Sequence, residues 1–222
     1  MSDKGNRISQ VVENRQHIIK HCRGKMFTSE SLKIVALICM LIDHAGATLF
    51  PQCDILRSIG RVSFPLYAFL LAQGCKHTHS MERYLLGLGI FALISEIPYD
   101  LAFGNSINFL DQTNIFYTLL SSFIDCDYGI WGVALISLLY LAKSIKISAV
   151  IMAVLLVPYY GQHIYSNVVS FEAIRNMCFS LLSILFVCLY NGQHGSKKKW
   201  IYYWAYPLHI LFFAILRCYP FF

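Results

Sequence analysis

The chain has 222 residues, of which 57% are hydrophobic and only 14% are charged, and its formal net charge is +6. A soluble domain of this size needs more charge to cover its surface, so the composition excludes an ordinary soluble fold and indicates a polytopic membrane protein. The positive charge comes largely from the first 25 residues and from Lys197–Lys199. This distribution favours membrane lipids as the charged partner, and we expect no nucleic acid partner.

Residues 1–30 form a basic segment that we expect on the cytoplasmic side. Residues 7–22 carry apolar side chains at mostly helical spacing among basic ones. This pattern is typical of an amphipathic helix on the inner leaflet, and a flexible basic tail is the alternative. Thr28 or Ser29, followed by Glu30, offers an N-cap for the first span. Residues 31–222 are then predicted to form a single transmembrane domain.

Apolar segments occupy most of that domain. They are Ser31–Phe50, Leu56–Gly74, Arg83–Phe103, Asn114–Ile124, Gly129–Ala142, Ile147–Val157, Ile174–Tyr190 and Trp200–Tyr219. Pro51 is expected to end the first of them, and Pro98 to interrupt the third. Asn114–Ile124 is too short to cross a hydrocarbon core of about 30 Å as a helix. Several others fall short of about 20 residues, which predicts tilted helices or a thinned bilayer.

The positions of the basic residues predict the orientation. The N-terminal segment, Lys76 with Arg83, Lys143 with Lys146, and Lys197–Lys199 should all be cytoplasmic. This requires Asn114–Ile124 to be re-entrant or peripheral, with seven crossings, the N-terminus inside and the C-terminus outside. A model with eight crossings and one misplaced basic loop stays open. The predicted fold is therefore an all-α membrane bundle of seven to eight transmembrane or re-entrant helices.

The first span carries titratable side chains inside an apolar run. Asp43 and His44 lie well within it, and each such group in hydrocarbon costs a few kcal/mol by the more lenient insertion scales. Lys33 precedes His44 by eleven residues, which places both on nearly one helix face, about 16 Å apart along the axis. The side chains of Asp43 and His44 diverge by roughly 100°, so Asp43 either orients the imidazole or faces an arginine.

Further polar groups are predicted in the outer half of the membrane. Arg57 with Arg61, and Glu96 with Asp100, are each spaced by four residues and so share a helix face. Opposite charges at similar depth should pair, and we expect Arg61 to pair with Glu96 or Asp100. These groups act either in structural salt bridges or in function, because intramembrane carboxylates commonly mark functional sites.

Two buried histidines are candidates for proton transfer. His44 is the stronger one, because an imidazole titrates near neutrality and burial favours the neutral form that a base requires. His209, in Tyr206-Pro207-Leu208-His209, is the second, and Pro207 leaves a backbone carbonyl available beside it. A hydrogen-bonded core histidine is the alternative reading of each. We expect no metal site, because His77 and His79 lack further ligands nearby and the eight cysteines are scattered.

Four ordered motifs resemble the TraX family: LKIVALICMLIDHAGATLFP, LRSIGRVSFPLYAFLLAQGCKHT, RYLLGLGIFALISEIPYDLAF and the late YPLH. That family is named for a membrane protein that acetylates the N-terminus of pilin, and it is similar to the broader transmembrane acyltransferase group. In the O-antigen acetylases of that group an arginine, ten residues and a catalytic histidine occupy the first helix. Lys33 and His44 are the corresponding pair here, with a lysine in place of the arginine.

The resemblance implies an acetyltransferase that uses cytosolic acetyl-CoA and an amine or hydroxyl acceptor. His44 would be the general base, in direct transfer or through an acetyl-histidine. Arg61 or Asn114 would stabilise the oxyanion, and Glu96 and Asp100 would bind a substrate ammonium or hold Arg61. The donor's phosphates would meet the basic inner surface at Lys33, Lys76, Arg83 and Lys143 or Lys146. The alternatives are a small proton-coupled transporter and a non-enzymatic envelope assembly factor.

Overall fold

A computed structural model describes residues 26–103, 129–166, 171–193 and 199–218. Within these ranges the chain is a bundle of helices without extended strands, which confirms the all-α class. In chain order the helices are α1 (Ser29–Thr48), α2 (Asp54–Gly60), α3 (Ser63–His77), α4 (Met81–Phe103), α5 (Gly129–Leu141), α6 (Ile145–Ser166), α7 (Phe171–Cys188) and α8 (Lys199–Cys218).

Several helices are long and apolar enough to cross a membrane. They are Ser29–Thr48, Asp54–His77 (α2 and α3 together), Ile145–Gln162 within α6, and Phe171–Cys188. Many large apolar side chains on the outside of the bundle are also exposed, as expected where lipid rather than water is the surrounding solvent. The chain is a membrane protein by these criteria. Residues 1–25, where an amphipathic helix was predicted, lie outside the described residues.

The start of α1 is fixed by a cap and by a contact with the end of α7. Thr28 is the N-cap, and its hydroxyl accepts a hydrogen bond from the backbone N–H of Ser31 at 3.2 Å. Phe27 forms a parallel backbone bridge with Tyr190, and the hydroxyls of Ser29 and Tyr190 are hydrogen-bonded at 2.8 Å in a buried position. The N-terminal end of α1 and the C-terminal end of α7 therefore lie together.

The second predicted span is divided into two helices. α2 ends at Gly60, α3 begins at Ser63, and the turn between them uses tight bonds from Arg61 N–H to the Ser58 carbonyl and from Val62 N–H to the Ile59 carbonyl. Pro65 agrees with the position of this break. It has no N–H to donate to the carbonyl four residues earlier, and it lies in the first turn of α3, where that missing donor is least costly.

Three prolines lie inside continuous helices, which corrects the predicted interruption at Pro98. α4 continues through Pro98, α8 continues through Pro207, and α6 continues through Pro158 to Ser166. The sixth apolar segment is consequently much longer than the predicted Ile147–Val157. A proline removes one backbone hydrogen bond, but in an apolar setting the rest of the chain has no water to bond to if it leaves the helix, so the helix persists.

Contacts between helices give their directions. α8 runs parallel to α1, since Lys33 lies at Tyr202 and His44 at His209. α4 runs parallel to α8, since Phe91 packs on Tyr203 near the start of α8 and Arg217 bonds to the Ala102 carbonyl near its end.

α3 runs antiparallel to α1, because Ser63 at its start bonds to the carbonyl of Ala36 while Phe69 packs on Tyr190, beside the start of α1. At its end, Lys76 reaches the last turn of α5. α4 therefore ends at the end of the bundle where α5 begins. The seven-crossing prediction requires this arrangement, although Asn114–Ile124 itself lies outside the described residues.

The core has two unequal parts. The main cluster is centred on α3, whose Leu66 and Phe69 are fully buried, and includes Leu32 of α1 and Met152 of α6. The smaller cluster joins α4 to α8 through Ala102, Ile210 and Ala214. α8 thus connects α4 to α1, and the seam between α1 and α8 lies at the edge of the main core.

Candidate functional site

The two candidate histidines are in direct contact. His44 Nδ1 lies 2.7 Å from His209 Nε2, and the two rings are nearly parallel, at 10° with centroids 5.0 Å apart. This agrees with an edge-to-edge hydrogen bond, because the N–H and the lone pair of an imidazole lie in the plane of the ring. The residues are 165 positions apart. Their meeting supports a shared site more strongly than either histidine does alone.

A backbone carbonyl fixes which nitrogens carry protons. His209 Nδ1 lies 2.7 Å from the Ala205 carbonyl oxygen, which can only accept a hydrogen bond. In the neutral ring His209 Nδ1 is therefore protonated and its Nε2 is the acceptor. His44 Nδ1 must then donate to His209, and the basic nitrogen of neutral His44 is Nε2. The Ala205 carbonyl thus assigns one tautomer to each ring.

The pair lies in an enclosed aromatic setting. His209 is only 9% exposed, and Tyr206 packs edge-on against both imidazoles, at 6.3 Å from His44 and 5.5 Å from His209. Tyr67 of α3 lies in the neighbourhood of the Tyr202 and Tyr206 side chains. We call the polar groups that line the contact between α1 and α8 the α1–α8 seam. Its members are Lys33, Tyr67, Tyr202, Tyr206, His44 and His209.

Lys33 occupies the opposite end of the α1–α8 seam. Its ammonium lies 5.3 Å from the centroid of the Tyr202 ring, in the range of a cation–π contact, and the Tyr202 hydroxyl bonds to Glu30 at 3.5 Å. Lys33 and His44 both contact α8, so they share a face of α1. The seam therefore connects a cation near the start of α1 with an imidazole about 16 Å further along the axis.

Asp43 points away from this seam. Its carboxylate lies 3.0 Å from Arg57 Nη1 of α2, so of the two predicted roles the structure shows the one in which Asp43 faces an arginine. α1 and α2 approach closely here, because a Cβ atom on Gly60 would overlap the Asp43 side chain and one on Gly46 would lie 2.7 Å from Leu56 Cβ. The adjacent residues Asp43 and His44 thus contact different helices, Asp43 the α2 helix and His44 the α8 helix.

A polar network beside Arg57 was not anticipated from the sequence. Ser58 is fully buried, accepts a hydrogen bond from Arg175 Nε at 2.7 Å, and bonds to the Asn176 side-chain oxygen at 2.7 Å. Arg175 also lies 3.9 Å from Asp54. A signal was present, since Arg175 and Asn176 begin an otherwise apolar segment. The network joins α2 to α7.

The remaining predicted residues are placed apart from the histidines or outside the described part of the chain. Lys76 donates to the Leu139 and Ala142 carbonyls at 2.9 and 2.6 Å, so its amine caps the end of α5. Arg83 is exposed on α4, and Arg61 is half-buried at the break after α2. Three predicted residues are left untested, since the side chains of Glu96 and Asp100 on α4 and the whole of Asn114 lie outside the described residues.

Comparison with known proteins agrees with the motifs. Residues 28–124 match the TraX protein family. The probable fimbrial assembly protein FimC, serogroup H1, of Dichelobacter nodosus is 25% identical over 229 residues, which cover 83% of this chain and 93% of that protein. An uncharacterized protein of Rickettsia prowazekii (strain Madrid E) is 40% identical over 47 residues, which cover 21% of this chain and 19% of that protein. No solved structure matches. The TraX resemblance is therefore confirmed, and the matched residues 28–124 contain α1 and His44.

Proposed function

We propose that this protein is an integral-membrane acetyltransferase that moves an acetyl group from cytosolic acetyl-CoA to an amine or hydroxyl acceptor. The observation that carries the proposal is the 2.7 Å contact between His44 and His209, inside helices that cross the bundle. Burying an imidazole among apolar helices is energetically costly, so such a residue commonly has a functional role. A hydrogen-bonded histidine pair with assigned tautomers is suited to proton transfer.

In the proposed reaction His44 is the general base. Its Nε2 takes the proton of the acceptor amine or hydroxyl as that group attacks the thioester, and returns the proton to the thiolate that leaves. His209 accepts the hydrogen bond from His44 Nδ1, and so stabilises the imidazolium that forms. We favour direct transfer, and an acetyl-histidine intermediate is the alternative.

The histidine pair can act as a base and its hydrogen-bond acceptor without a permanently charged side chain. A carboxylate in the place of His209 would have to be held charged in an apolar surrounding, which costs several kcal/mol unless it is paired. Neutral His209 supplies the same acceptor atom, and its own Nδ1–H is already satisfied by the Ala205 carbonyl. The charge of Asp43 is balanced separately, by Arg57.

The donor would enter from the basic inner side. Its phosphates are anionic, and Lys33 is held near the start of the α1–α8 seam by Tyr202. Arg83 is exposed and available at the same end of the bundle. The distance of about 16 Å from Lys33 to His44 along α1 suits an extended donor whose phosphates and thioester lie far apart. Lys76 is committed to capping α5 and contributes its charge only at a distance.

The comparisons support a choice of acceptor class. A relative that shares most of its length with this chain is named a fimbrial assembly protein, and the TraX family takes its name from a protein that acetylates pilin. We therefore propose the N-terminal amine of a pilin-like or fimbrial subunit as the acceptor class. A hydroxyl acceptor would use the same base.

Transfer of radiolabel from acetyl-CoA by the purified protein in lipid nanodiscs tests this proposal. We expect wild-type protein to acetylate a peptide with the N-terminus of the cognate pilin subunit, and His44→Gln to lose this activity by at least about 10³-fold. The matched control is His79→Gln, since His79 is an exposed histidine after α3. Normal transfer by folded His44→Gln would overturn the assignment of the base.

An assembly factor without catalytic activity is the second candidate, and the name of the FimC relative, a probable fimbrial assembly protein, favours it. The two candidates separate in one experiment. If the protein acts only by assembly, His44→Gln should support surface fimbriae as well as wild type, and labelled acetyl groups should not appear on the subunit. If it is an acetyltransferase, label should appear on the subunit in wild-type cells and be lost in the variant.

A further inference from the structure

We propose that Arg57 is a further catalytic residue of this site, whose guanidinium stabilises the negative charge that develops on the acyl oxygen during transfer. The inference rests on the proposed acetyltransferase function. It replaces Arg61 and Asn114, which sequence reasoning favoured for this role, with a residue whose position is fixed at the depth of the histidine pair.

The position of Arg57 follows from its ion pair. Arg57 Nη1 lies 3.0 Å from the carboxylate of Asp43, the residue directly before His44. Leu56, the neighbour of Arg57, packs against Gly46, two residues after His44. The guanidinium is therefore held within about one helical turn of His44 along α1. It is also near enough for its charge to act on the imidazole.

The guanidinium also keeps capacity for a second partner. Its side chain is 36% exposed while that of Asp43 is 18% exposed, so the ion pair is buried on the carboxylate side and more open on the arginine side. A guanidinium has five N–H donors in a fixed fork, and the contact with Asp43 occupies one edge of it. The other donors can face an oxygen atom that lies between Arg57 and His44.

The histidine pair supplies no stabilisation of its own for the oxyanion, and Arg57 can supply it. Both rings are neutral at the start of the reaction, so neither supplies positive charge when the acceptor nitrogen attacks. In that step the N–C bond forms and the carbonyl π electrons move to oxygen, which gives an oxyanion. The C–S bond then breaks as the oxyanion re-forms the carbonyl, and the thiolate takes the proton from His44 Nε2. Lys33 is about 16 Å away along the axis and cannot reach the oxyanion.

Asp43 is in this scheme a positioning residue. A carboxylate within an apolar helix is costly, and pairing with Arg57 offsets that cost while it fixes the direction of the guanidinium. A preorganised charge stabilises a transition state without reorganising at the moment of reaction. The Asp43 side chain packs on Gly60, so it has little freedom to move, and the arginine it holds is correspondingly fixed.

The test is the steady-state kinetics of acetyl transfer by Arg57→Gln and Arg57→Lys in nanodiscs. We expect Arg57→Gln to lower kcat by about 10²- to 10³-fold with KM for acetyl-CoA within about threefold, as for loss of one oxyanion donor. Arg57→Lys keeps the charge but not the fork and should lose about tenfold. Added guanidinium ion should restore part of the activity of a smaller variant, Arg57→Ala.

Arg175→Gln is the matched control, because Arg175 belongs to the same group of arginines but contacts Ser58 and Asp54. It should keep kcat within about threefold of wild type once its folded fraction is measured by size exclusion. Asp43→Asn should lower kcat and leave KM for acetyl-CoA unchanged, which a purely structural role would not produce in the folded fraction.

The outcomes distinguish this inference from the proposed function. If wild-type protein transfers acetyl groups, His44→Gln does not, and folded Arg57→Gln keeps kcat within about threefold, the role of Arg57 is overturned while the acetyltransferase stands. An equal loss in Arg57→Gln and Arg175→Gln, without rescue by guanidinium, would overturn it as well. Absence of transfer by the wild-type protein would instead overturn the proposed function.

Discussion

Asp43 and His44 are adjacent on α1 but lie on two different faces of the helix, and the two faces differ in charge and in packing. The face toward α2 is charged and tight, with Asp43 on Arg57, Gly60 against Asp43, and the Ser58 network beyond. The face toward α8 is neutral and aromatic, with His44 on His209 and Tyr206 across both. Residues adjacent in sequence are separated by about 100° on a helix, so α1 holds a charged ion pair on one face and a neutral proton-transfer pair on another.

The comparison predicts that the two faces respond differently to substitution. Changes toward α8 should remove activity with only a modest loss of stability, because that contact consists of neutral hydrogen bonds. Changes toward α2 should cost stability, because they expose charges or force apart closely packed helices, and at Asp43 and Arg57 they should also lower kcat through the proposed oxyanion role.

The largest effect is expected at the histidine pair. His209→Gln should reduce acetyl transfer by at least about 10²-fold, since the acceptor that fixes the His44 tautomer and stabilises the imidazolium is lost. Its unfolding free energy should fall by about 1–3 kcal/mol, because the hydrogen bonds to His44 and to the Ala205 carbonyl are both disturbed. Paired kinetic and thermal-denaturation measurements check this. A loss of stability that accounts for the whole loss of activity would show that the α8 face is structural.

Gly60→Ala should be the most destabilising small change on the α2 face. The added methyl group would overlap the Asp43 side chain, and overpacking of this kind costs about 1–3 kcal/mol. Gly89→Ala in α4 is the control, because nothing lies within 4 Å of a Cβ there, and it should be neutral or stabilising. Denaturation midpoints in the same detergent give the comparison, and equal midpoints for the two variants would contradict the close approach of α1 and α2.

Ser58→Ala tests the network that joins α2 to α7. It removes the acceptor of Arg175 Nε and the donor to Asn176, and a buried donor left without its acceptor costs about 1–3 kcal/mol. Ser180→Ala is the matched control, since Ser180 is equally buried and its hydroxyl has no hydrogen-bond partner among the described residues. It should leave the melting temperature unchanged or slightly raised. A fall as large as that of Ser58→Ala would argue against the network.

The smallest effects concern the two lysines near the inner end. Lys76→Met should lower stability by about 1 kcal/mol through loss of the α5 cap and leave KM for acetyl-CoA unchanged. Lys33→Met should raise that KM by several-fold with little change in stability, because its contact with Tyr202 is partly exposed. Kinetics and melting curves of both variants decide between these patterns, and a raised KM in Lys76→Met alone would reverse the assignment.

The α4 helix shows what a hydropathy pattern can predict and what it cannot. Its apolar content predicted a helix, and the structure extends that helix from Met81 to Phe103. The pattern could not show that α4 packs mainly on α8, through Ala102, Ile210 and Ala214, because an apolar side chain is equally suited to lipid and to a neighbouring helix. The prediction that Pro98 interrupts the helix was wrong for a related reason. Proline commonly ends helices in water but is tolerated where no water can replace the lost backbone hydrogen bond.

The sequence alone determined the all-α membrane class, most of the apolar segments, the TraX resemblance, and His44, Asp43 and His209 as residues of interest, because burying a titratable group is costly enough to stand out in any apolar run. The tertiary structure alone decided that His44 meets His209, that Ala205 assigns their protons and that Asp43 holds Arg57. Helical periodicity gives the direction of a side chain around its own axis. Which helix lies in that direction depends on packing between segments more than a hundred residues apart, and no local pattern records it.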